Sequence, residues 1–138
     1  KTDIKTMENW IPFGEGEYLV DQALLVADDS RAVAVDDVII EITTDQRGQR
    51  YLKGRGRVRN VLMVELHEDS DHLDLLLDFG DEFKFRLKEP NLQSGKVFAP
   101  DARSVLQFVP ATPWQQIPPE AFVDLLAGLT VLTDTDIK

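Results

Sequence analysis

Leu73-Asp-Leu-Leu-Leu-Asp-Phe-Gly-Asp-Glu-Phe-Lys-Phe-Arg-Leu87 is the stretch whose reading decides the fold. Leu73, Leu75, Leu77 and Phe79 alternate with Asp74, Leu76 and Asp78. After Gly80 and Asp81, Phe83, Phe85 and Leu87 alternate with Glu82, Lys84 and Arg86. Successive strand side chains point to opposite faces, so a period of two on both arms gives one apolar face and one polar face. Gly-Asp between the arms supplies the tight turn, and the whole reads as a β-hairpin.

The same reading extends upstream. Residues 23–27 and 32–35 are short apolar runs around Asp28, Asp29, Ser30 and Arg31, a cluster whose side chains bond their own backbone in turns. Residues 38–43 are rich in β-branched side chains, and a polar loop at 44–49 containing Gly48 leads into 50–59, which makes a further hairpin. At 61–66, Leu62, Val64 and Leu66 alternate with Met63 and Glu65, so another strand is expected. Downstream, 88–101 is looser and holds Pro90, Gly95 and Pro100, and a last strand is expected at 103–109 before Pro110.

Pro110, Pro113, Pro118 and Pro119 mark an extended linker over 110–118. Proline suits the first helical position and glutamate the first turn, so Pro119 and Glu120 open a helix over about 119–129. Its apolar stripe is Ala121, Phe122, Leu125, Leu126 and Leu129, the spacing of a helix packed on a sheet. The expected fold is mainly β: an antiparallel meander of about seven or eight short strands forming a small barrel or sandwich, with one C-terminal helix packed on it. At 138 residues and 43% apolar composition, a single β-rich domain over 1–138 is expected.

Charge is distributed unevenly. The chain carries 25 acidic against 15 basic side chains, a formal charge of −10, yet six cations fall between Arg47 and Arg59; without that stretch nine cations face the same 25 acids, or −16. Lys53, Arg55, Arg57 and Arg59 occupy every second position, so an extended chain sends all four to one face and Leu52, Gly54, Gly56 and Val58 to the other. Glu41 and Glu65 are the carboxylates expected to neutralise them if they serve only cross-strand pairing. Otherwise the guanidinium groups form a site for a phosphate, a carboxylate or an acidic protein surface, with Arg50 and Lys53 in support. Glycine weakens a strand interior, so Gly54 and Gly56 call for a close approach, either a bulky core ring such as Trp10 or Trp114, or a ligand. Trp10 and Phe13 are expected to plug one end of the fold, and Trp114 is read in the same way.

Several chemistries are not supported. The chain has no cysteine, hence no disulfide, thiolate nucleophile or thiolate metal site. His67-Glu-Asp-Ser-Asp-His72 matches neither a zinc helix motif nor a calcium loop and reads as a solvated turn, so no metal and no cofactor is expected. The two histidines lie in no nucleophile motif, and no catalytic residue is assigned. Gly54-Arg-Gly-Arg lacks the third glycine and following helix of a dinucleotide fingerprint. No apolar run is long enough to span a bilayer and residues 1–6 carry no signal pattern, so a soluble, cytoplasmic protein without membrane insertion is expected.

Those observations point to a non-catalytic binding protein of the immunity or inhibitor type, which acts by occupying a macromolecular partner. In that reading Glu65, Asp69, Asp71, Asp74 and Asp78 form an acidic face that steers a basic target protein. Two alternatives stand beside it. One is an anionic-ligand module binding a phosphate-bearing molecule or acidic peptide through Arg50, Lys53, Arg55, Arg57 and Arg59; the other is a structural or assembly subunit of a phage or secretion machine. A nucleic-acid partner is disfavoured because most of the surface is acidic.

Overall fold

The structure, a computed structural model, describes residues 14–68, 72–94, 103–111 and 114–133. Eleven strands are present among them: β1 (Gly16–Leu19), β2 (Gln22–Ala27), β3 (Arg31–Ala34), β4 (Asp36–Thr44), β5 (Arg50–Arg59), β6 (Leu73–Asp78), β7 (Lys84–Leu87), β8 (Asn91–Ser94), β9 (Arg103–Val109), β10 (Gln115–Gln116) and β11 (Thr130–Val131). Helix α1 (Asn60–Glu68) joins β5 to β6, and helix α2 (Pro119–Ala127) lies near the C-terminus. The strands form a five-stranded sheet, β1-β4-β5-β9-β8, and a six-stranded sheet, β10-β7-β6-β2-β3-β11. The mainly β, antiparallel architecture with a helix on one side is the expected class, as an open two-sheet sandwich rather than a closed barrel. The β11–β3 pair is parallel.

Turn chemistry fixes the hairpins. Ser30, Asp81 and the glycines Gly48 and Gly80 have positive φ in the three tight connections β2–β3, β4–β5 and β6–β7. Asp45 organises the second of these, its Oδ1 accepting the Arg47 and Gln49 backbone N–H groups, each at 2.9 Å. Between β3 and β4 the chain passes from the six-stranded to the five-stranded sheet through a register shift between Asp36 and Ile39, with Asp37 at φ 55°. Such an irregularity re-aims a strand as it leaves one sheet for the other.

One core fills the space between the sheets. Leu25, Val33, Leu75, Leu77 and Leu87 come from the six-stranded side, and Ile40, Ile42, Leu52, Leu106 and Phe108 from the five-stranded side, all buried. Gly54 and Gly56 are buried on the same inner face. A Cβ at Gly54 would lie 2.2 Å from Phe108 Cζ, and one at Gly56 would lie 2.7 Å from Val35 Cγ1. A core ring therefore occupies the space above Gly54, as one expectation required, but the ring is Phe108, directly opposite on β9, rather than a tryptophan. Trp114 instead stacks on Phe79 and meets Phe85 edge-on at 5.1 Å, packed against the core. Trp10 and Phe13 lie outside the described residues.

Residues 61–66, expected as a strand, belong to α1. The buried residues there are Leu62, Met63 and Leu66, spaced by one and three positions, while Val64 is 42% exposed. That spacing lies on one helical face. Leucine, methionine and glutamate are good helix formers, and asparagine at the N-terminus suits a helix start.

Helix α2 begins with Pro119 in the first turn and ends at Gly128, whose N–H reaches the Leu125 carbonyl. Phe122 packs with Leu24 and Leu76 on the outer face of the six-stranded sheet, joined by Leu125, Leu126 and Leu129. That sheet is therefore apolar on both faces at β2 and β6. The outer face of the five-stranded sheet has no such cover among the described residues.

Candidate functional site: the open face of the five-stranded sheet

Strand β5 alternates cleanly. Leu52, Gly54, Gly56 and Val58 are buried, whereas Tyr51, Lys53, Arg55 and Arg57 are exposed. The cationic row expected from the period of two thus projects from the outer face. Its two flanking members differ: Arg50 and Arg59 are half-buried and each engages a partner. Among the described residues, no ion pair or hydrogen bond engages the side chains of Lys53, Arg55 or Arg57.

Strand register supplies their neighbours. Arg55 lies between Ile39 on β4 and Gln107 on β9, with Leu19 beyond Ile39 and Gln93 beyond Gln107. Lys53 faces Glu41, and Arg57 lies between Asp36 and Val105. Leu19 is 75% exposed and Val105 51%, so large apolar side chains share the face with the cations. Of the two carboxylates expected to neutralise the row, Glu41 is in register with Lys53, but Glu65 sits on α1.

At one end of the row the sheet is notched. Strand β9 pairs with β5 only as far as Gly54, opposite Phe108, and Pro110 soon follows; the β4–β5 ribbon runs on to Arg50. An open cavity of about 620 Å³ occupies the notch, lined by apolar Leu52, Leu92, Phe108 and Val109, by Tyr51, and by the in-register pair Lys53 and Glu41. The Tyr51 hydroxyl donates its one proton between two acceptors, Asp45 Oδ2 at 3.1 Å and Gln49 Oε1 at 3.2 Å, which orients the ring at the cavity wall. Sharing its proton with the Asp45 carboxylate pushes the Tyr51 pKa above the ordinary value, and the Gln49 N–H holds the Asp45 carboxyl below it.

Of the acidic residues expected to form a second face, those described lie on β6 (Asp74 and Asp78) and on α1 (Glu65). Asp74 is buried: its Oδ2 takes both Nε, at 2.8 Å, and a terminal nitrogen of Arg86, and its Oδ1 accepts the Glu89 backbone N–H at 2.9 Å. Asp78 accepts Lys84 Nζ at 3.1 Å and the Gly80 N–H at 2.8 Å, and so serves the hairpin turn. These two carboxylates are committed within the fold, because the outer side of β6 lies beside Arg86 and Lys84 on β7 rather than in open water. Glu65 is half-exposed on α1, and Asp69 and Asp71 lie outside the described residues.

Sequence reasoning missed the apolar part of the open face. The signal was present in β9, where exposed Val105, Gln107 and Val109 alternate with buried Leu106 and Phe108. His72 bonds Glu89 at 2.7 Å. Among the described residues no three His, Asp or Glu side chains gather as metal ligands, and no helix is long and apolar enough to cross a membrane. Compared with protein-family models, curated proteins and solved structures, the chain matches none.

Proposed function

We propose that the protein is a non-catalytic binding domain, of the kind that acts by occupying a partner protein, and that it does so through the open face of its five-stranded sheet. The observation that carries this reading is the row of Lys53, Arg55 and Arg57, exposed on a sheet face that no helix covers among the described residues. Charge complementarity then makes the facing surface acidic, reversing the basic target that the sequence alone favoured.

Geometry favours a macromolecule over a small anion. Alternate strand residues are about 6.8 Å apart along the strand, so the three cations are spread along a line and do not converge on one phosphate. Exposed Leu19, Val105 and Val109 among them favour protein over nucleic acid, because protein interfaces combine apolar area with arginine while nucleic-acid interfaces are more polar.

The test is titration with polyglutamate, read by backbone amide shifts. Shifts concentrated at residues 51–57 and 105–109, weakening with salt and lost in the double variant Arg55→Glu, Arg57→Glu with the fold retained, support the reading. Binding that survives the double variant, or tighter binding to a single-stranded oligonucleotide, refutes it.

A further inference from the structure

Beside Lys53, the notch adds something the cationic row does not explain. Its lining joins apolar Leu52, Leu92 and Phe108 to Lys53, the cation at the end of the row, and to Glu41 in register with it, and the hydroxyl of the Tyr51 ring that walls it shares its proton between Asp45 and Gln49. Pockets of this size commonly take an apolar group, with a few polar atoms at the mouth setting its orientation. We infer that the notch anchors a bulky apolar side chain of the acidic partner, so that the recognised element is an extended segment with acidic residues at alternate positions and an aromatic or large aliphatic residue at its Lys53 end.

This inference rests on the charged-face reading and adds a sequence pattern to it. An extended segment repeats its side chains at the same step of about 6.8 Å as β5, so carboxylates two residues apart can meet Arg57, Arg55 and Lys53 in turn. Tyr51 is the next outward position along β5, and it lines the notch. The side chain two residues beyond the carboxylate on Lys53 therefore arrives over the cavity. An aromatic residue there has a preformed wall to pack on, which spares the cost of ordering one. The predicted pattern is one bulky apolar residue followed at every second position by three acidic ones.

Two probe peptides test it: Phe-Ser-Glu-Ser-Glu-Ser-Glu, and the same peptide with alanine in place of phenylalanine. Fluorescence polarisation should give the phenylalanine peptide about tenfold or more tighter binding, the scale of one well-buried anchor. The exposed Gln93 lines the mouth of the cavity, and Gln93→Trp should remove that advantage while sparing the affinity of the alanine peptide. A measurement that needs no variant is the methyl spectrum, in which Leu92 and Val109 should shift only with the phenylalanine peptide. Equal affinity of the two peptides, both lost in Arg55→Glu, Arg57→Glu, overturns the anchor and leaves the charged face standing. Failure of both peptides to bind overturns the two together.

Discussion

Adding one methyl group at Gly54 tests the packing that aims the cationic row. A Cβ built there lies 2.2 Å from Cζ and 2.4 Å from Cε1 of Phe108, whereas carbon atoms rest about 3.5–4.0 Å apart. The ring would have to retreat by more than about 1 Å. Phe108 is only 1% exposed and packed in the inter-sheet core, so its ring retreats only by displacing core neighbours or by swinging towards the notch it lines. Overpacking in such a site costs about 3 kcal/mol. Alanine recovers about 0.5–1 kcal/mol by narrowing the unfolded ensemble, which leaves Gly54→Ala destabilising by about 2 kcal/mol. Phe108→Ala alone empties the site and costs about 4 kcal/mol. With both changes the methyl meets no ring and partly fills the hole, so the double variant should lose about 3.5 kcal/mol, well short of the additive value, a coupling of about 2–3 kcal/mol. Urea unfolding with an unchanged m-value measures all three. A Gly54→Ala variant within about 0.5 kcal/mol of the parent, or strict additivity, would falsify the account of why glycine stands at 54.

Further outcomes follow from other contacts. Asp74→Ala should destabilise by about 2 kcal/mol, since it strips a buried acceptor from the Glu89 N–H and a partner from Arg86, whose partial exposure limits the loss. Phe122→Ala should cost about 3–4 kcal/mol and, by hydrogen exchange, release α2 before the sandwich itself opens, because that ring is the buried centre of the outer cluster. The Asp45 carboxyl is held below its ordinary value of 3.8, so its contribution is present above that value and disappears as pH falls through the lower folded one. Comparing acid unfolding of the parent with Asp45→Asn should show the difference in stability shrinking below that pH; a difference that stays constant would refute the assignment.

Legibility in the sequence followed how local the determining forces are. The hairpins β2–β3, β4–β5 and β6–β7, the strand at 103–109 and the helix opening at Pro119 were readable because alternation and turn chemistry act over a few residues. Strand β8 was not, since Leu92 is its lone apolar residue and its pairing with β9 comes from the sheet. Two-residue β10 and β11 carry no periodic signal at all. The direction of the cationic row was legible, but its neighbours were not: which residue flanks Arg55 depends on register across strands more than fifty positions apart. The same limit hid the commitment of Asp74, whose Arg86 partner is reached only once β6 and β7 have paired.

The strand expected at 61–66 and the fate of the cations turn out to be one question. Had that segment continued beside β5, Glu65 could have faced the cationic row and supplied one of the carboxylates that a purely structural role demands. Because Leu62, Met63 and Leu66 lie on one helical face, the chain turns into α1, and the place next to β5 goes to β9. Strand β9 brings Gln107 and Val105 to the positions flanking Arg55 and Arg57. Neither carries charge, so from the β9 side both arginines lack a carboxylate; on the β4 side Arg55 meets Ile39, whereas Arg57 has Asp36 in register. Water solvates guanidinium groups well, so the row alone does not oblige a partner to exist. Exposed Val105, Val109 and Leu19 change the balance, since an apolar area interleaved with cations gains from being covered and a surface serving only solvation has no use for it. The combination, on the sheet face that α2 leaves bare, is what makes this side of the sandwich the one to probe with acidic chains.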